Sequence, residues 1–262
     1  MELKGKVVFI SGASRGIGAE LGRQLAAEGA AVVLAARTRE PLAQLARELR
    51  QHGAEALDVE LDVTSEESVR AAAATALATF GAVDVLINNA GNGGTLGRLL
   101  EQAPEHTREM FEVHVLGAER LTRALLPSMI ERGRGRVVMV GSAVGYVPMP
   151  GAAAYSAAKA AVVALAEALR GELEGLGIEI VCLSPPHTQT EAGKAWPLKL
   201  PKQFSPEQAA RALVRALRAD QQNYLTCGNQ SLLWLRRLTP SGSSSIMRKI
   251  GLGALQRLDA RG

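Results

Sequence analysis

The tightest constraint on what this chain can fold into is an alternation running through roughly its first two hundred residues. Short runs rich in valine, isoleucine and leucine each give way to a longer Ala/Leu/Glu/Arg segment with helical spacing. The strand-like runs fall at residues 7–11, 31–36, 55–61, 83–88, 135–141 and 178–184, with a shorter one at 224–227. They are nearly continuous in apolar character, as strands buried on both faces are. Helical segments are expected at 16–28, 41–52, 65–80, 105–132, 152–176 and 206–219. Ser65 with Glu66 and Glu67 places a capping hydroxyl and two acids at a helix start, and Ser205-Pro206-Glu207 places proline at a first helical position. Strict alternation predicts right-handed crossovers and a doubly wound α/β fold, a parallel sheet of about seven strands with helices on both faces. No linker and no solenoid-length repeat interrupts the pattern. Residues 1–262 therefore read as one domain, with 199–262 a less regular helical extension of it.

Composition removes other classes. Hydrophobic residues make up 47% and charged residues 21%, the balance of a globular chain, and the net charge of +4 is spread along it, which argues against nucleic acid. The only cysteines, Cys182 and Cys227, belong to no metal-ligand spacing and read as free thiols in a reducing cytoplasm, so neither a metal nor a disulfide framework is expected. Strand-like sequence begins at Lys6, which leaves no room for a signal peptide. Charge breaks every apolar run before the ~18 residues that a span requires. Near the end, residues 231–238 mix leucines and Trp234 with Arg236 and Arg237, residues 239–245 (TPSGSSS) read as a turn or loose loop, and 246–258 as a short helix. That basic, apolar segment is expected to cover the core or a subunit interface rather than to lie on a membrane surface.

The first strand runs into Ser11-Gly12-Ala13-Ser14-Arg15-Gly16-Ile17-Gly18. Glycine at 12, 16 and 18 lets the chain turn sharply and lie against a pyrophosphate, with the helix from Gly16 aiming its unpaired N–H groups at the phosphates. This G-x-x-x-G-x-G spacing resembles the phosphate loop of the short-chain dehydrogenase/reductase family, with Ser11 keeping the hydroxyl of the family's threonine. The resemblance covers roughly residues 5 to 192 and implies a Rossmann-type, NAD(P)-binding oxidoreductase. Ala35-Ala36-Arg37 ends the second strand without the acid that would hold both ribose hydroxyls of NAD. Arg37 with Arg15, and Thr38 beside them, suits a 2′-phosphate, so NADP is expected and NAD less so. Asp62-Val63 resembles the family's adenine-binding pair, and Asn88-Asn89-Ala90-Gly91 its NNAG motif.

Tyr155 and Lys159 stand four apart at a helix start and so share one face. A phenol titrating near 10 is a poor base at neutrality; a neighbouring ammonium would favour phenolate and lower that value. Ser142, thirteen residues earlier, can hold a substrate oxygen. The three resemble the family's catalytic set, and no GxSxG elbow surrounds Ser142, which disfavours acyl transfer. Two departures stand out. His114 takes the place of the family's asparagine, where an imidazole titrating near neutrality would either continue a water relay or simply pack. Pro185-Pro186 replaces the family's Pro-Gly, removing an N–H near the nicotinamide, while Thr190 matches the threonine that ends that motif. His187 either lines the site or is a loop histidine.

Residues 93–96, 143–149 and 188–200 are expected to meet the substrate, with Val144, Tyr146, Val147, Met149, Trp196 and Leu198 making it an apolar secondary alcohol or ketone. The other reading is an NADP-binding sensor or scaffold with little turnover. A homodimer or homotetramer is expected.

Overall fold

The computed structural model describes residues 1–190, 196, 198, 203–219, 223–225, 234 and 237–260. The apolar runs form β1 (Val7–Ser11), β2 (Ala31–Ala36), β3 (Ala56–Glu60), β4 (Val85–Asn88), β5 (Gly135–Val140), β6 (Ile178–Ser184) and β7 (Asn223–Leu225). All pairings are parallel, in the order β3-β2-β1-β4-β5-β6-β7. Continuous apolar sequence is needed because both faces of the sheet are covered. Successive side chains of a strand point to opposite faces. Val8 and Ile10 of β1 thus join one core with Val32 and Leu34, whereas Phe9 joins the other with Val33 and Ala35.

The first core is closed by α1 (Gly16–Ala27), α2 (Arg39–Gln51) and, after two shorter helices and three long ones, Pro206–Arg218. The second is closed by α3 (Glu66–Phe80), by Gly117–Glu131 and by Ala153–Glu172. In chain order the remaining α-helices among the described residues are α4 (Pro104–Phe111), α5 (Gly117–Glu131), α6 (Ala143–Tyr146), α7 (Ala153–Glu172), α8 (Pro206–Arg218) and α9 (Pro240–Asp259). Both expected starts hold. The Ser65 hydroxyl accepts from Ser68 N at the head of α3, and Ser205 and Gln208 cap each other at α8.

Two segments depart from expectation. The single helix read across 105–132 is interrupted by a π-type turn, Glu112–Leu116, between α4 and α5. The wider turn brings Gly117 onto Val63, 2.8 Å from the position a Cβ would take, and carries the buried His114. Residues 239–245 are not a loop after Thr239: α9 begins at Pro240, which needs no N–H partner at a first helical position. Ser243 is fully buried there and donates to Pro240 O at 2.9 Å. Tertiary packing has overridden the loop-like composition. Of the 231–238 stretch only Trp234, Arg237 and Leu238 lie within the described residues; Cys227 lies outside them, as do residues 226 and 227 of the expected last strand. No described helix is long and apolar enough to cross a membrane.

Strand order reverses between β1 and β4, so a crevice opens at their carboxyl ends. Every residue named above for chemistry or phosphate lies at that end or on the loops around it.

Candidate active site

The floor of the crevice is tied together by one hydroxyl. Ser11 Oγ donates to Ile87 O at 3.3 Å and accepts from the backbone N–H groups of Asn89 and Ala90, each at 3.0 Å. The Asn89 amide closes the same seam on Ser11 O at 2.9 Å and Gly12 O at 3.3 Å. Gly12 and Gly16 have φ of +71° and +59°, where a side chain is strained. A Cβ on Gly12 would stand 2.8 Å from Ala90 Cα, and one on Gly18 would run into Gly12 O.

Beyond this cradle, α1 starts without a side-chain cap and without an acid in its first turn, leaving its N–H groups and dipole directed at the crevice. An anionic pyrophosphate fits there. Ser14 is half-buried in the turn, Ile17 packs onto the first core, and Thr190 arches over from the far side, its Cγ2 3.3 Å from a Cβ at Gly16. Arg15, Arg37 and Thr38 stand exposed along the outer rim. Asp62 is half-buried. Burial opposes its charge, but the Thr64 N–H at 2.9 Å, the Thr64 hydroxyl at 2.8 Å and the nearby Arg37 hold its carboxyl below the usual range. Val63 is buried against Gly117. On the β6 side Pro185 is half-buried, and Pro186 O accepts from the buried Thr188 hydroxyl at 2.7 Å. His187 is half-buried as well, and burial lowers its pKa.

Ser142 lies two residues beyond β5, extended at the head of α6, and faces the Tyr155 phenol closely enough to pull its pKa down. Lys159, one turn along α7, is buried and donates from Nζ to Val140 O at 2.8 Å, with that nitrogen 5.8 Å from the Tyr155 ring centre. The expected lowering of the phenol by an ammonium is reversed: burial pushes Tyr155 up to about 12, against the contrary pull of Ser142. Burial also pushes Lys159 down to about 8. Both groups sit in a low-dielectric site where charge is costly, and the ammonium is held by a carbonyl rather than by the phenol.

His114 packs its ring edge-on to Tyr155, with centroids 5.3 Å apart at 82°. Its Nε2 meets Asn92 O at 2.9 Å; a carbonyl only accepts, so Nε2 carries the proton. Nδ1 has no hydrogen-bond partner among the described residues and lies against Gly91, 2.7 Å from where a Cβ there would stand. Burial, then the Lys159 charge, push this imidazole well below its ordinary value, with the Asn92 carbonyl pulling weakly upward. The neutral-range titration expected of an imidazole here is thereby moved out of that range.

The apolar side of the site assembles as expected and gains members. Leu96, Val144, Val147, Met149 and Leu198 form one buried cluster with Tyr146, Tyr155 and Trp196 packed on it. Residues 191–195, 197, 199 and 200 of the expected substrate stretch lie outside the described residues. The unexpected members are Met247 and Ala254 of α9. That helix backs onto the loop after α6, where a Cβ on Gly251 would stand 2.9 Å from Met149 Cγ, and is tied at its end by Asp259 to Arg98 through two 2.8 Å bonds. The sequence between residues 231 and 258 is thus in part a cover for this apolar cluster. No local pattern near residues 96 or 149 points to a helix about a hundred or more positions away.

Comparison with known proteins agrees with this architecture. The model of the short chain dehydrogenase family matches residues 6–200. The ketoacyl reductase HetN of Nostoc sp. is 36% identical over 223 residues, 82% of this chain and 76% of that protein. Dehydrogenase/reductase SDR family member 7B of Mus musculus is 37% identical over 192 residues, 72% of this chain; the chain spans about three fifths of that relative's length, 59%. An alcohol dehydrogenase from the archaeon Thermococcus sibiricus, solved with 5-hydroxy-NADP, superposes with a TM-score of 0.77 at 34% identity, over 85% of this chain and 96% of that one. The chain belongs to the short-chain dehydrogenase family, whose members are NAD(P)-dependent oxidoreductases.

Proposed function

We propose that this protein is an NADP-dependent oxidoreductase that interconverts a secondary alcohol and a ketone carried on an apolar frame. The observation that carries the reading is the placing of the Tyr155 phenol, faced by Ser142, on an apolar cluster with the Lys159 ammonium buried beside its ring. Gly12, Ser14, Arg15, Gly16, Ile17 and Gly18 line the pyrophosphate cradle, Asp62 and Val63 the adenine side, Asn89, Ala90 and Gly91 the wall of the crevice, and Pro185 and Thr190 the nicotinamide side. Arg15, Arg37 and Thr38 on the rim suit a 2′-phosphate and no acid competes at the end of β2, which favours NADP over NAD. The nicotinamide supplies or accepts the hydride when bound.

The rest is this chain's own chemistry. Ser142 and Tyr155 hold the substrate oxygen. A phenol near 12 is fully protonated at neutrality, so Tyr155 serves as the proton donor to a carbonyl, and the Lys159 charge offsets the phenolate left behind. His114 braces the Tyr155 ring. We place the protein in the cytoplasm as a homodimer or homotetramer, with residues 1–262 as one domain.

Tyr155→Phe tests the mechanism: it removes the hydroxyl and keeps the ring. Turnover of ketones with NADPH should fall by at least about 10²-fold, the scale of general acid–base catalysis, with NADPH affinity retained. A variant with parental kcat refutes the assignment, and NADPH binding by the parent without turnover of any ketone would favour a sensor.

A further inference from the structure

Tyr155 is flanked by two rings that differ in how firmly they are held. His114 on one side is buried and fixed by Asn92 O at 2.9 Å. Trp196 on the other lies 5.2 Å from the Tyr155 ring at 80°, an edge-on contact that also faces the apolar cluster of Leu96, Val147, Met149 and Leu198. The indole is only half-buried, and its N–H reaches Gly94 O at 3.4 Å, beyond the usual 2.7–3.2 Å of such a bond. Gly94 in turn has φ of +61°, and a Cβ on it would stand 2.9 Å from His106 Cε1 and from Met110 Sδ. Trp196 is therefore the less buried of the two rings that touch the proposed proton donor.

We propose that Trp196 is the specificity-determining residue of this site, its indole forming the surface on which the substrate's frame lies while its oxygen meets Tyr155. This deepens the reading above and rests on it. Perpendicular rings at about 5 Å are a favourable aromatic arrangement, and a planar ring in the substrate extends it. A flexible aliphatic chain gains burial without ring pairing and loses rotor freedom on binding. The site should thus prefer ring-fused or aryl ketones and alcohols over open-chain ones of similar size.

The test uses 2-tetralone and 2-octanone. The chain has two tryptophans, and Trp234 is 62% exposed beneath Arg237, so Trp234→Phe leaves Trp196 as the sole indole emitter. Adding 2-tetralone to the NADP+ complex of that variant should change its emission; saturation without any change overturns the proposal. In steady-state assays with NADPH, Trp196→Leu should raise KM for 2-tetralone by about 2- to 10-fold relative to 2-octanone, the fold-change that an aromatic pair is worth. Trp196→Phe, which keeps a ring, should recover most of the difference. Equal changes in KM for both ketones overturn the proposal. Failure of the parent to reduce any ketone defeats the functional reading instead, and the emission titration then still decides the role of Trp196.

Discussion

The His114 ring lies directly on the Cα of Gly91, so closely that a Cβ at 91 would stand 2.7 Å from Nδ1 and meet Cε1 closer still. Glycine at the end of the NNAG stretch is thus required here by a particular neighbour, a histidine fixed from behind by Asn92 O and from the side by Tyr155.

The ring has nowhere to retreat. Gly91→Ala should destabilise the protein by about 1–3 kcal/mol through overpacking. His114→Ala should make room for the new methyl. The double variant, measured by urea unfolding, is expected to show a coupling above about 0.5 kcal/mol. Strictly additive effects would mean that the two residues do not press on each other.

His114 also sets a pH dependence of stability. Its imidazole is held well below the ordinary value by burial and by the Lys159 charge, whereas in the unfolded chain it titrates near 6.5. Protonation therefore favours the unfolded state. The contribution is fully present above about pH 6.5 and is lost as pH falls below that. His114→Asn should flatten the unfolding free energy between about pH 6.5 and 4 relative to the parent, and should leave the kcat profile between about pH 6.5 and 8 unchanged in shape. A parental kcat inflection in that upper window that vanishes in the variant would restore a proton-relay role.

Lys159 places the expected inflection elsewhere. Burial brings its ammonium to about 8, so its charge is lost within an accessible range. Ketone reduction should decline above about pH 8, because the phenolate left by proton transfer from Tyr155 is no longer offset. Lys159→Met, measured across the same range with NADPH saturating, should be slow and flat there. A parental profile level up to pH 10 would show that this charge does not matter to turnover.

Arg37 provides the test of cofactor choice. Its guanidinium is exposed at the end of β2 and also helps to keep Asp62 ionised. Arg37→Asp should lower the ratio of kcat/KM for NADPH over NADH by about 10-fold or more, since a charge-assisted bond is lost and a like charge faces the 2′-phosphate. An unchanged ratio would place the 2′-phosphate contact on other residues.

How much of this was legible beforehand follows from the range of each signal. Residue spacing carried the alternating fold, the strands buried on both faces, the glycine turn before α1 and the shared face of Tyr155 and Lys159, because each is set by contacts within a few residues of one another. Only the folded chain decides that Lys159 rests on Val140 O, nineteen positions earlier, that His114 meets Gly91 across a π-type turn, and that α9 rises from a serine-rich stretch to press Met247 into the apolar cluster around Tyr155. Those relationships depend on burial, which raises Tyr155 and lowers Lys159 in opposition to what two isolated neighbours would do. Desolvation is a property of the packed environment and leaves no trace in local spacing.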